Sequence, residues 1–88
     1  MAGIKRLVLD VLVPNNLPLT VLTHKISEVR GVEGVDVLIQ EVERKVESSK
    51  ITIEGDNLDF EEVRKVIEKT GATLHSVDRV SAGKRLVG

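Results

Sequence analysis

Two halves of this chain repeat one order of apolar spacing, and that repetition limits the folds open to it. Each half has an alternating apolar run, then a stripe at helical spacing, then a glycine and a second alternating run. In the first half, Leu7, Leu9, Val11 and Val13 alternate with Arg6, Val8, Asp10 and Leu12 over Ile4 to Val13. The first set faces a core. The second is half apolar, which suits a central strand whose outer side is partly covered. Pro14 to Pro18 ends the strand, and Pro18 suits the first helical position, where its missing N–H costs nothing. Leu22, Ile26 and Val29 then form the buried stripe of a helix running to Arg30, with Val21 widening it. Gly31 is expected to cap that helix in the left-handed conformation.

The second strand is expected over Val35 to Glu47, Ser48-Ser49 as a two-residue hinge, and the third strand over Lys50 to Asp56, where Ile51 and Ile53 alternate with Thr52 and Glu54. Asp59, three positions before Glu62, reads as a capping box opening a second helix to Thr70. That helix buries Val63, Val66 and Ile67, with Phe60 near its start, and Gly71 ends it. A fourth strand runs from Ala72 to about Ala82. Strand, helix, strand, strand, helix, strand is the split βαβ order, so an α+β, ferredoxin-like βαββαβ fold is expected. Its four-stranded antiparallel sheet has order 4-1-3-2, with two helices on one face. At 88 residues and 41% hydrophobic the chain makes one domain, residues 1–88, with a modest core.

Composition removes several function classes. One Phe and no Trp or Tyr leave nothing for bases to stack on, and thirteen basic against fourteen acidic residues give a net charge of −1. No nucleic-acid partner is therefore expected. The absence of Cys excludes disulfides, thiolate metal sites and thiol nucleophiles. No apolar run approaches the roughly 20 residues that span a bilayer. Met1 to Lys5 lacks the basic start and apolar run of a secretory signal, so no membrane association and a cytoplasmic location are the defaults. Phosphate-loop, dinucleotide and zinc-protease motifs are missing.

Two constellations stand out. With Ser48-Ser49 as the turn, Glu43 lies opposite Glu54 and Glu41 opposite Asp56 on the outer face of the sheet. Facing like charges destabilise a sheet by roughly 0.2–1 kcal/mol per pair. Arg6, Lys45 or Arg79 of the same chain, a basic residue of another subunit, or a divalent cation would offset them. Oxygen-only ligands favour calcium over zinc, and a one-residue slip in register would dissolve the cluster. The second constellation is Asp10 on strand one with His75 and Asp78 on strand four, candidates to bind a ligand. No nucleophile or oxyanion site accompanies them, so no catalytic residue is assigned. The outer face is also expected to carry Val8, Leu12, Val37 and Ile39, an apolar patch that a homo-oligomer would bury.

The words RLVLDVLVP, ISEVRGVEGVDV, KITIEGDNLDFEEV and LHSVDRVSAGKRLV, in that order, make nearly the whole chain resemble the archaeal domain-of-unknown-function 211 family. The resemblance implies a ferredoxin-like fold, oligomeric assembly in archaeal cytoplasm and bound calcium in some members, and it implies no activity. Two readings follow. The leading one is a non-catalytic oligomeric binding or regulatory module for a small ligand or divalent cation, with calcium favoured. The alternative is an enzyme using Asp10, His75 and Asp78.

Overall fold

The computed structural model describes residues 3–88; Met1 and Ala2, the first residues of the N-terminal stretch expected to lack a secretory signal, lie outside them. The elements follow the expected order: β1 (Ile4–Pro14), α1 (Leu19–Ser27), β2 (Val32–Val42), β3 (Val46–Leu58), α2 (Phe60–Lys69) and β4 (Thr73–Ala82). All strand pairs are antiparallel and the sheet order is β2-β3-β1-β4, with both helices packed on one face, as in ferredoxin-like α+β folds. No described helix is long and apolar enough to cross a membrane.

The core follows the alternation. Leu7, Leu9, Val11 and Val13 from β1 and Ile51 and Ile53 from β3 are buried against Leu22 and Ile26 of α1 and Val63 and Ile67 of α2. Val29 joins them only half-buried, because α1 stops at Ser27 and Val29 sits in the turn beyond it. Gly31 has φ +89°, but it lies in that turn rather than directly capping the helix. At α2 the Asp59 half of the expected capping box is present: its side chain accepts from the Glu61 and Glu62 N–H groups, while no return bond from the Asp59 N–H to the Glu62 side chain forms among the described residues; Gly71 follows Thr70 with φ +100°. On the solvent side of α2, Arg64 bridges Glu61 at 2.6 Å and Glu68 at 3.0 Å, and the hydrogen bond to Glu61, followed by the charges of Glu61 and Glu68, raises its pKa.

The β2–β3 hairpin departs from the expected register. Its turn is Glu43-Arg44-Lys45, closed by the Glu43 N–H donating to the Val46 carbonyl at 2.9 Å, and Ser48-Ser49 lies inside β3. Tertiary pairing explains the shift. β1 extends to Pro14, which pairs with Val46, so a turn at Ser48-Ser49 would strip Val11 to Pro14 of their partners. Two further contacts support this arrangement. Asn15 donates its backbone N–H to the Lys45 carbonyl and its side-chain amide to the Arg44 carbonyl, and the buried Ser49 hydroxyl donates to the Val11 carbonyl at 2.9 Å.

The register change inverts the faces of β2. Val35 and Val37 oppose Ile53 and Ile51, and Ile39 opposes Ser49, so all three point to the helix side. Val37 and Ile39 therefore do not join Val8 and Leu12 on the outer face; Leu38 does, opposite Lys50. Strands of 10 to 13 residues outreach helices of nine and ten, because a strand rises about 3.3 Å per residue and a helix about 1.5 Å. Val42 and Val80 lie on the helix side of the edge strands β2 and β4 and are exposed, although Val13 and Leu7 in the same rows on the central β1 are buried.

Candidate functional site

The face of the sheet away from the helices can be read as rows across the four strands. One row is Leu38, Lys50, Asp10 and Ser76; the next is Asp36, Thr52, Val8 and Arg79; a third is Gly34, Glu54, Arg6 and Ser81. The four carboxylates expected to cluster are dispersed through this frame. Glu43 is in the turn, Glu41 opposes Ser48, Glu54 opposes Arg6 and Gly34, and Asp56 lies near the end of β3. Two have basic partners from β1: Arg6 Nε donates to Glu54 at 3.1 Å, and Lys5 Nζ donates to Asp56 at 3.0 Å. Neither facing pair forms, so their combined hold on calcium loses its geometric basis. Among the described residues no group of three or more His, Cys, Asp or Glu is arranged to hold a metal ion.

Arg6 does more than neutralise Glu54. Its Nη1 donates to the Gly88 carbonyl at 2.8 Å, tying the tail beyond β4 to β1. The Gly83 N–H to Gly3 carbonyl bond makes a second tie. Val8, two residues along on the same face, is only 8% exposed although no helix covers it.

Asp10 is the unusual residue. It lies in the middle of the central strand β1, and its Oδ1 is buried with no hydrogen-bond partner among the described residues. An unsatisfied buried acceptor costs about 1–3 kcal/mol, and more when charged, so its retention calls for an explanation. Both direct neighbours carry donors, and neither reaches it. Ser76 Oγ donates to Asp78 at 2.7 Å, and Lys50 makes no ion pair among the described residues.

His75 and Asp78 enter through irregular pairing. The β1–β4 register shifts between Val8 and Leu9 and again between Asp10 and Val11, which makes Asp78 and His75 the extra residues of two bulges on an edge strand. Simple alternation would put His75 beside Asp10; the bulge puts Ser76 there instead. Lys50, Ser76 and Leu38 were not singled out from the sequence, and the signal that could have found them is the pairing partner of Asp10 on each side.

A groove of about 1170 Å³ opens between the helices. Val21 lines it and is 42% exposed, rather than widening the buried stripe of α1. Its charged lining is balanced, with Lys25, Arg30 and Lys69 against Glu28, Asp59 and Glu62, so it selects no sign of ligand.

Comparison with known proteins agrees with the words of the sequence. The model of the family described as uncharacterized ArCR, domain of unknown function 211, matches residues 5–88. An uncharacterized protein of Methanocaldococcus jannaschii is 41% identical over 87 residues, covering 99% of this chain and 90% of the relative.

Proposed function

Since the chain belongs to the archaeal domain-of-unknown-function 211 family, we propose that it is a non-catalytic binding or regulatory module working through the helix-free face of its sheet, where it receives a ligand or a further copy of itself. One observation carries this reading: the buried Asp10 Oδ1, unpartnered at the centre of that face. A donor from outside the chain supplies what its neighbours do not. Leu38, 56% exposed in the same row, and the half-buried Leu12 give the surrounding surface its apolar contact area. A symmetric pairing would bring each patch against its own copy.

The test is sedimentation of the wild type and Leu38→Asp at micromolar concentration. Self-association through this face gives the wild type a multiple of 9.7 kDa and reduces the variant toward one chain. A face that instead takes a separate ligand leaves both at one chain and shows saturable binding that Leu38→Asp weakens. A wild type that stays at one chain and binds nothing at the face overturns the reading.

A further inference from the structure

We propose that the Asp10 position receives a primary alkylammonium group, an inference that rests on the open-face reading above and names its chemistry. Asp10 Oδ1 is an acceptor without a donor. Directly across in β4, Ser76 has committed its hydroxyl proton to Asp78, so its oxygen offers only lone pairs toward a newcomer. Asp78 is itself an acceptor. Three acceptor groups thus lie next to one another on the exposed side of an edge and a central strand. An ammonium brings three donors and no acceptor, which is the complement of such a set. A metal ion suits it less, because among the described residues no group of three or more His, Cys, Asp or Glu is placed to bind one.

The alkyl part follows from the row in which Asp10 sits. Leu38 at its β2 end and Leu12, two residues along β1, present apolar ledges, and an ammonium on an aliphatic stem can lie along them while its head reaches the carboxylate. Lys50, between Leu38 and Asp10 and without an ion-pair partner among the described residues, is the side chain the incoming stem displaces. The ammonium has two possible sources: a free amine, or a lysine from a second copy of the chain.

The experiment uses n-butylammonium chloride as probe and tetramethylammonium chloride, which has no N–H, as control at matched ionic strength. Binding is read from the backbone amide NMR signals of Asp10 and Ser76, with assembly followed by sedimentation. If the ammonium is a free ligand, butylammonium gives saturable shifts in the wild type and in Lys50→Gln. The response falls at least tenfold in Asp10→Asn, and the sedimenting mass does not change. If a second copy supplies it, the wild type sediments above 9.7 kDa, Asp10→Asn falls to one chain, and added butylammonium lowers the wild-type mass by competition. Equal responses to the two ammonium salts, an undiminished response in Asp10→Asn, or no response and no Asp10-dependent assembly would overturn the proposal. Assembly lost in Leu38→Asp but indifferent to both Asp10→Asn and amine retains the binding face and rejects the ammonium.

Discussion

Substituting Gly55 by Ala tests the register that disperses the acidic residues. Gly55 pairs with Val32 near the start of β2, and a Cβ there would overlap the Gly31 carbonyl oxygen and lie 2.9 Å from Leu58 Cδ2. The obstruction is mainly backbone, so no rotamer change relieves it. The two segments must part, which strains the Asp56 N–H to Gly31 carbonyl bond, now 3.0 Å. Overpacking costs about 1–3 kcal/mol and the weakened hydrogen bond about 1 kcal/mol, giving a loss of roughly 2–4 kcal/mol. For a domain of this size that is a fall in Tm on the order of 10–25 °C. Gly34 is the internal control, since a Cβ there meets nothing within 4 Å, and Gly34→Ala is expected to change stability by less than about 0.5 kcal/mol. The assay is urea and thermal unfolding followed by circular dichroism on both variants and the wild type. If Gly55→Ala is as mild as Gly34→Ala, the close approach of Gly31 to Gly55 is wrong, and the hairpin register falls with it.

Glu54→Gln, which loses the Arg6 ion pair, is expected to cost about 1 kcal/mol, whereas Glu43→Gln in the exposed turn costs almost nothing; equal effects in urea titrations would revive the facing-carboxylate hairpin. Ser49→Ala removes a fully buried hydroxyl bonded to the Val11 carbonyl and should lower stability by about 1 kcal/mol, read as a shift of the urea midpoint at constant m-value. Asp59→Ala deprives two N–H groups of α2 of their acceptor and should cost about 1 kcal/mol, while Asp59→Asn retains most of it; a loss no larger for Ala than for Asn would dismiss the cap.

Periodicity carried most of the architecture. Alternation in β1 and β3 and the spacing of Leu22, Ile26, Val63 and Ile67 are local properties of the chain, and burial of those residues in one cluster follows from them. Leu58 and Ala72 also enter the core, although neither belongs to a clear periodic run, because each lies where the chain passes into or out of α2. The candidate sites were less legible. A serine pair looks like a turn in isolation, and the cost of a buried Ser49 is offset by a carbonyl 38 residues away in sequence.

The sequence by itself determined the element order, the helix cap at Asp59, the inward set of β1 and the family, since each depends on residues close together or on the words they spell. Only the tertiary structure decided the faces of β2. The length of β1 recruits Val46 to Ser49 into pairing, and the resulting odd register shift turns Val37 inward, Leu38 outward and the acidic residues apart. It likewise decided the surroundings of Asp10. Bulges on β4 replace His75 by Ser76 as its neighbour, and whether a carboxylate oxygen finds a donor depends on two other strands rather than on its own.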